Sequence, residues 1–298
     1  MDPVASVVVP TLDRPNALAR CLAALERQRG VDALDVVIVD AGSRSIGPVL
    51  DVVRSSEDVR LVQCTDAGPA TARNAGVQEV RGAYVLFTDD DCEPVPEWAA
   101  KLLEPLRAGA DVVAGVSVNG SPERALARAS RTILDYVTDP ANSTALRRFA
   151  TANNLGCRRD VVAALPFDER YRFGGEDRDW CARVLGAGHT LVRAPDAIVA
   201  HHDEPTIRSF WRKHAAYGRG SYRFRRRNRD ARGLEPPVFY GRLVRAGFVQ
   251  GLGPGAAVVV AQVATAAGFA REALSEAFER DEEGEPPTRR RLRQSSSE

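Results

Sequence analysis

Three short apolar runs constrain the fold of this chain more than any other feature of its sequence. Residues 5–10 (ASVVVP), 36–39 (VVIV) and 83–88 (AYVLFT) are almost wholly apolar, which is typical of strands buried on both faces of a parallel sheet. Segments with helical spacing of apolar residues separate them, at 16–27 and 70–80. This alternation predicts an α/β fold whose mostly parallel central sheet is covered by helices.

Polar residues follow these strands at their carboxyl ends, which in such sheets meet at one edge and form the usual ligand site. Thr11 follows the first strand, Asp40 follows the second, and three consecutive acids, Asp89, Asp90 and Asp91, follow the third. A cation would relieve the repulsion among three carboxylates. The alternate acids Asp89 and Asp91 suit oxygen coordination of Mg²⁺ or Mn²⁺. The alternative is an acidic turn that caps the next helix.

A second acidic pair, Glu176 and Asp177, follows two glycines at the predicted start of a helix. Two interpretations are open: the acids complement the helix dipole, or one of them is a general base carried on a mobile loop. The polar, glycine-bearing segment 151–156 (TANNLG) is more typical of a site lining than of a core.

Composition excludes several classes of function. The net charge of +1 provides no overall field toward nucleic acid, and no nucleic-acid-binding motif is visible. The Rossmann and P-loop glycine motifs are absent. The five cysteines are scattered without CxxC or zinc-finger spacing. Together with a start that lacks signal-peptide features, they indicate reduced thiols in a cytoplasmic protein.

The C-terminal third differs in composition from the rest. Residues 208–232 carry ten Arg or Lys with interleaved aromatics, whereas the 25 residues 246–270 carry no charge. About 20 apolar residues span a bilayer, but this segment is rich in Ala and Gly, so we favour a buried or surface-lying helix. The basic segment suits either a phosphate clamp or an anionic membrane surface.

Six motifs, in this order, resemble those of family 2 glycosyltransferases of the GT-A fold. The resemblance covers roughly residues 5–220, with one departure, Ala41 in place of a second Asp. The motifs are VVVPT (7–11) with Arg14, VDAGS (39–43), GPATARNAG (68–76), DDD (89–91), GED (175–177) and HH (201–202).

The resemblance assigns roles to individual residues. Asp177 is the implied catalytic base, with Glu176 as second choice, and Mg²⁺ or Mn²⁺ is the implied cofactor. The implied metal contacts are Asp89, Asp91 and either His201 or His202. The nucleotide-sugar contacts are Pro10, Thr11, Arg14, Asp40, Gly68, Arg73, Asn74, Asp89 and Asp90. We expect sugar or acceptor contacts from Asn153, Asn154, Gly175 and Trp180, and a phosphate clamp from Arg212 and Arg219.

The resemblance also implies an activity and an organisation. It predicts an inverting hexosyltransferase that moves a sugar from a nucleotide-diphosphate sugar, UDP-linked by preference, to an acceptor hydroxyl in bacterial cell-envelope or glycoconjugate biosynthesis. The acceptor class stays open among lipid-linked, glycan and small-molecule hydroxyls. We expect a cytoplasmic protein, peripheral at the inner face of the membrane through residues 206–270. The expected parts are a transferase domain 1–205 (donor half 1–120, acceptor half 121–205), a helical extension 206–278 and a disordered tail 279–298.

Two rival functions remain. The first is a catalytically inactive GT-A-like scaffold at the membrane, although such a copy would be expected to have lost at least one of the acidic or Arg-Asn motifs. The second is a sugar-phosphate nucleotidyltransferase, which usually carries a glycine-rich loop after the first strand. Residues 10–15 (PTLDRP) contain no glycine, which disfavours this second rival.

Overall fold

A computed structural model of the chain describes residues 4–56, 58–65, 68–139, 141–142, 150–172, 174–228 and 234–284, with side chains to residue 278. The fold is a mixed α/β sheet with helices on both faces, as predicted. The strands are β1 Ala5–Thr11, β2 Leu34–Asp40, β3 Val59–Gln63, β4 Tyr84–Thr88, β5 Cys92–Pro94, β6 Val112–Asn119, β7 Asn154–Arg158 and β8 Leu191–His201. The helices are α1 Pro15–Glu26, α2 Gly47–Arg54, α3 Pro69–Glu79, α4 Trp98–Arg107, α5 Ala125–Thr138, α6 Arg159–Ala164, α7 Glu176–Gly186, α8 Ile207–Arg227, α9 Pro237–Val249 and α10 Leu252–Gly284.

The eight strands form one sheet in the order β3-β2-β1-β4-β7-β6-β8-β5. The four strands from β3 to β4 are parallel, so the predicted parallel half is confirmed. β7 is antiparallel to both of its neighbours, and β5 is antiparallel to β8. Parallel strands deliver their carboxyl ends to one edge, so this half determines where the candidate site lies.

Strand β7 corrects part of the interpretation of residues 151–156 as a site lining: Thr151, Ala152 and Asn153 line a cavity, whereas Asn154, the first residue of the strand, lies inside the sheet. The Asn154 carboxamide accepts a hydrogen bond from Trp98 Nε1 (2.8 Å) and donates to the carbonyls of Val116 (3.0 Å) and Ala197 (2.9 Å). The β6–β8 ladder shifts register between Ala114 and Val116. Asn154 therefore bonds backbone groups beside an irregularity in the ladder.

The C-terminal helices form a separate layer with α5. Their shared core contains Ala129, Phe210, Leu243, Ala257, Val258 and Ala261. Helices α8 and α10 approach so closely that a Cβ at Gly218 would overlap the carbonyl oxygen of Thr265, and one at Gly268 would overlap that of Ala215. Only glycine permits this backbone separation.

The uncharged segment 246–270 is not one helix. α9 ends at Val249 and α10 begins at Leu252, with Gly251 at a φ of 123° between them. Residues Leu252–Phe278 are long and apolar enough to cross a membrane, yet 39% of the most apolar window is buried against the protein. A core helix of a soluble protein passes the same test, so this finding is weak evidence for a membrane span. The backbone of α10 continues to Gly284, into the predicted tail, and residues 285–298 lie outside the described part of the chain.

Candidate active site

The carboxyl ends of β1 and β2 place their polar residues side by side. Thr11 pairs with Asp40 in the ladder, and Pro10 precedes it. Both residues of this pair are buried. The carboxylate of Asp40 accepts hydrogen bonds from the backbone N–H and the hydroxyl of Ser43. The hydroxyl of Thr11 donates to Asp90 Oδ2 at 2.7 Å, so β1 is joined directly to the acid triplet.

The three acids of the triplet point to different partners. Asp89 Oδ1 accepts from Arg73 Nη2 at 2.8 Å, and Asp91 Oδ2 accepts from Arg14 Nη1 at 2.6 Å. Asp90 is fully buried and also contacts Arg14, at 2.6 Å. Asp89 and Asp91 line a cavity, whereas Asp90 does not. The triplet therefore presents its alternate members to the cavity and anchors the middle one in the protein.

The protonation behaviour of Asp90 and Asp91 differs accordingly. Burial raises the pKa of Asp90 to about 7, although the charge of Arg14 opposes the rise. Burial acts in the same direction on Asp91, but there the hydrogen bond and charge of His201, followed by the charges of Arg14 and Lys213, hold the pKa well below its ordinary value. Asp91 is therefore ionised over the physiological range.

Asp91 lies beside a potential metal ligand from β8. Among the described residues, the donor atoms of Asp91, Cys92 and His201 lie within 4.8 Å of one another, and His201 Nε2 is 3.3 Å from Asp91 Oδ1. Burial, and then the charges of Asp91 and Asp89, raise the pKa of the Cys92 thiol, which makes it a poor ligand. The Asp91 carboxylate fits Mg²⁺ or Mn²⁺, whereas the His201 imidazole is a less typical ligand for these ions.

The choice between the two histidines follows from this geometry. His202 Nε2 lies 3.3 Å from Glu93 Oε1, and its ring packs where a Cβ at Gly120 would be. His201, rather than His202, therefore faces the acid triplet.

The second acidic pair begins α7, after two glycines with φ of 119° and 95° (Gly174 and Gly175). Arg73 Nη1 contacts Glu176 Oε1 at 2.8 Å, so this buried guanidinium joins Glu176 to Asp89. Asp177 lines the same cavity. Burial, and then the charge of Glu176, raise the pKa of Asp177 to about 7.

Several expected substrate contacts are instead part of the scaffold. Trp180 is fully buried, donates its Nε1 to the Leu165 carbonyl at 2.6 Å and stacks on Phe167. With Asn154 inside the sheet, these two expected sugar or acceptor contacts are wrong, because neither side chain reaches the cavity. Asn74 bonds the backbone N–H and carbonyl of Phe167, each at 2.9 Å.

Other predicted residues keep a place at or beside the cavity. Asn153 lines it, with its Oδ1 accepting from Ser117 and Thr151. Gly175 also lines it. Gly68 precedes α3, where a Cβ would press on the backbone of Arg172.

Neither of the two arginines expected to form a phosphate clamp lines the cavity. Arg212 is exposed and does not line the cavity, and Arg219 is paired with Glu272 at 2.7 Å. The sequence analysis missed Lys213, which lines the cavity and holds Asp203 at 2.5 Å. The signal was present, because Lys213 lies one helical turn after Phe210, a buried residue of α8.

These groups share one cavity of about 1070 Å³. Its floor is the polar edge of the sheet, with Arg14, Asp89, Asp91, Asp177 and His201. Above the floor it extends between α5, α8, α9 and α10. Small-molecule sites typically measure roughly 300–1,000 Å³, so this one is large.

Comparison with known proteins identifies the family. The profile of Glycosyl transferase family 2 matches residues 6–166, more than half of the 298 residues. The chain belongs to glycosyl transferase family 2. It is 29% identical over 210 residues to the glycosyltransferase AglE of Haloferax volcanii, covering 68% of each chain. It is 27% identical over 257 residues to the pre-mycofactocin glycosyltransferase of Mycobacterium tuberculosis, covering 84% of this chain and 53% of that one.

Solved structures support the fold of this family 2 glycosyltransferase over nearly its whole length. The mannosyltransferase PcManGT from Pyrobaculum calidifontis, in complex with GDP-Man and Mn²⁺, superposes with a TM-score of 0.56 at 18% identity, covering 97% of this chain and 83% of that one. TarS from S. aureus, residues 1–349 in complex with UDP, gives 0.52 at 19% identity, covering 81% and 70%. At these identities the likeness concerns the fold.

The family match includes the acid triplet but ends before α7 and β8 of this glycosyltransferase. The placement of Glu176, Asp177 and His201 beside the triplet therefore comes from the structure. These three residues complete the polar floor of the cavity.

Proposed function

We propose that this glycosyltransferase transfers a sugar, with inversion, from a nucleoside-diphosphate sugar to an acceptor hydroxyl. UDP is the favoured nucleotide, Mg²⁺ or Mn²⁺ the cofactor, and Asp177 the general base. The observation that carries the proposal is that the Asp91–His201 pair and Asp177 lie on the walls of one cavity at the carboxyl edge of the sheet.

The proposed donor site lies at the carboxyl edge of the sheet. A divalent cation held by Asp91 and His201 would supply Lewis-acid stabilisation to the departing diphosphate. Arg14 holds Asp91 from the opposite side, and Arg73 holds Asp89 toward the cavity. The buried Asp40 at the end of β2 is our candidate contact to the nucleobase. PcManGT holds GDP-Man with Mn²⁺ and TarS holds UDP on a similar fold, which supports a nucleotide-sugar donor.

Asp177 is the residue proposed to activate the acceptor hydroxyl. A general base works best when its pKa lies near the working pH, and the pKa of Asp177 is raised to about 7. Glu176 is less suitable, because Arg73 holds one of its oxygens. Asp177 takes the proton of the acceptor hydroxyl, the oxygen attacks the anomeric carbon, and the electron pair of the broken bond leaves with the diphosphate. Attack from the face opposite the diphosphate inverts the anomeric configuration.

A thermal-shift experiment tests the donor site. UDP-, GDP- and dTDP-sugars are compared with and without Mn²⁺ or Mg²⁺; ligand at a hundred times its Kd adds about 2.7 kcal/mol of stability. We expect one nucleotide to give a metal-dependent shift. The His201→Ala variant should lose the metal dependence, whereas the matched His202→Ala variant should keep it. No shift with any nucleotide would favour the inactive scaffold.

We also propose a location. The outer surfaces of α9 and α10 expose large apolar side chains, namely Val238, Phe248, Val249, Leu252 and Val259. These suit a cytoplasmic enzyme that lies on the inner face of the membrane rather than spanning it. Sedimentation with anionic vesicles is the corresponding measurement, and recovery of all the protein in the supernatant would contradict the proposal.

A further inference from the structure

The upper part of the cavity has a different character from its polar floor. Four helices, α5, α8, α9 and α10, contribute walls that are mainly apolar, with a minority of polar residues that includes Arg131, Arg225 and Gln262. We call this part the upper chamber; its walls include Ile133, Val137, Phe224, Tyr240, Val263 and Phe269. The chamber and the floor are one continuous space.

This chamber is not a packing defect of ordinary size. Protein interiors are close-packed, and voids larger than a water molecule are few. A nucleoside-diphosphate sugar is polar and charged along its length, so the floor suits it and the apolar walls do not. The remaining ligand of a transfer reaction is the acceptor. The apolar walls therefore indicate that part of the acceptor is apolar.

One buried polar group on the cavity wall lacks a hydrogen-bond partner among the described residues. His214 on α8 is only 3% exposed and lines the cavity. Among the described residues, no group forms a hydrogen bond with its Nε2. A buried polar atom without a partner is rare and marks a place where a ligand or water completes the bonding. A polar group of a bound ligand would complete the bonding of this nitrogen.

We infer that the acceptor is an amphiphile. Its hydroxyl meets Asp177 at the floor, and its hydrocarbon body occupies the upper chamber. The inference rests on the proposed function and adds the class of acceptor to it. Val263, 52% exposed, lines the chamber and also faces solvent, so the hydrocarbon could enter beside it. The acceptor oxygen forms a bond to the anomeric carbon, its proton passes to Asp177, and the nucleoside diphosphate leaves.

Binding without any donor tests the chamber directly. Methyl, octyl and decyl β-glucosides, all below their micelle concentrations, are titrated calorimetrically into the full-length protein. Burial of one methylene corresponds to about a fourfold gain in affinity, so decyl should bind roughly fifteen times more tightly than octyl, and methyl should not bind measurably. Equal affinities for the three glucosides would overturn the inference.

Two aspartate substitutions on α10 form a matched pair. Val263→Asp places a charge on the chamber wall and should weaken decyl binding at least about tenfold. Val259, 40% exposed, is one helical turn away and does not line the cavity, so Val259→Asp should change this binding less than about twofold. Equal losses in both variants would place the amphiphile on the helix surface and contradict the inference.

Transfer assays separate this inference from the proposed function. With the donor found by thermal shift, KM should fall from methyl to decyl glucoside while kcat changes little. Transfer with the same KM for every chain length would overturn the amphiphilic acceptor and leave the transferase standing. Chain-length-dependent binding, together with no metal-dependent thermal shift for any nucleotide sugar, would keep the amphiphile site and overturn the proposed function.

An experiment with vesicles distinguishes an acceptor carried in the membrane from a soluble amphiphile. A glucoside linked to a long isoprenoid alcohol is presented in vesicles of phosphatidylcholine and phosphatidylglycerol. A membrane-borne acceptor predicts faster transfer from vesicles than from the free decyl glucoside, with Val259→Asp slowing only the vesicle reaction. A soluble amphiphile predicts the reverse preference. Both results support an amphiphilic acceptor, and transfer to methyl glucoside alone would refute it.

Discussion

Carboxylates lie at both ends of the parallel strands, and the pKa of Asp35 at the amino end moves in the opposite direction from the pKa values of Asp90 and Asp177 near the carboxyl end, whereas the pKa of Asp91 there is lowered too. At the amino end, Asp35 accepts hydrogen bonds from Ser6, from Arg60 and from the backbone N–H of Arg81. Burial opposes ionisation there, but these bonds hold the pKa of Asp35 below its ordinary value. At the carboxyl end, burial raises the pKa of Asp90 and Asp177 instead.

The two ends differ in whether their buried polar atoms all have hydrogen-bond partners within the protein. The Asp35 cluster supplies every partner from its own side chains and backbone, so it stabilises the fold and nothing more is expected of it. At the other end, Glu176 Oε2 and Thr88 Oγ1 are buried without a hydrogen-bond partner among the described residues. Incomplete bonding with raised pKa values is typical of a functional site.

The largest effect is expected from removal of the proposed general base at the carboxyl end of the strands. Asp177→Asn should lower kcat by about 10²- to 10⁴-fold, because proton removal from the acceptor is lost. Metal-dependent nucleotide binding should persist, since Asp177 is not part of the donor contacts. Steady-state kinetics and thermal shifts on the same preparation measure both. Full turnover in the variant would remove Asp177 from the mechanism.

A substitution in the Asp35 cluster should change the stability of the fold rather than kcat. Asp35→Ala should lower the free energy of unfolding by about 2–3 kcal/mol, because Arg60 and Ser6 lose a buried partner. The kcat of the folded variant should stay close to that of the wild type. Urea denaturation measures the loss of stability.

The pH dependence of that loss has a definite sign. Because the pKa of Asp35 is lowered by folding, its contribution is complete above the unfolded value of about 3.9 and is lost as the pH falls. The stability gap between wild type and Asp35→Ala should therefore narrow in acid. A gap that is constant between pH 7 and pH 3 would contradict this account.

A subtler effect concerns the coupling within the acidic pair. The charge of Glu176 is the second cause of the raised pKa of Asp177, after burial. Glu176→Gln should therefore move the acid limb of the kcat–pH profile to lower pH, since Asp177 then ionises more readily. A limb that stays in place, or moves to higher pH, would show that the limb belongs to another group.

The smallest effect is expected outside both clusters. Arg212 is exposed and away from the cavity, so Arg212→Ala should change kcat/KM less than about twofold. Its neighbour Lys213 lines the cavity close to Asp91, and Lys213→Ala should raise the KM for the nucleotide sugar more than Arg212→Ala does. Equal effects of the two variants would restore Arg212 as a candidate for the phosphate clamp.

Sequence reasoning succeeded where local pattern fixes position. Continuous apolar strands predicted the parallel half of the sheet, and the ends of those strands brought Thr11, Asp40 and the triplet to one edge. It failed where contacts between residues distant in sequence determine whether a polar side chain is buried. Asn154 is a polar residue in a central strand, and its partners Trp98 and Ala197 are distant in sequence.

The choice of histidine shows the same limit. His201 faces the triplet because β8 pairs with β5 in a register that places it opposite Cys92. A shift of one residue would exchange the faces of His201 and His202. No local signal in the sequence sets that register, so the two residues could not be distinguished.

The glycines of α8 have a mechanical consequence. A side chain at Gly220 would overlap the carbonyl oxygen of Gly174, just before the acidic pair, and one at Gly218 would overlap that of Thr265 in α10. At these positions α8 touches the loop before Glu176 and α10 through bare backbone, and beside them the Arg219–Glu272 pair also joins α8 to α10. Close backbone contacts leave no room for a side chain on either side of α8, so we expect α8 to set the distance between α10 and the amino end of α7, which carries Asp177.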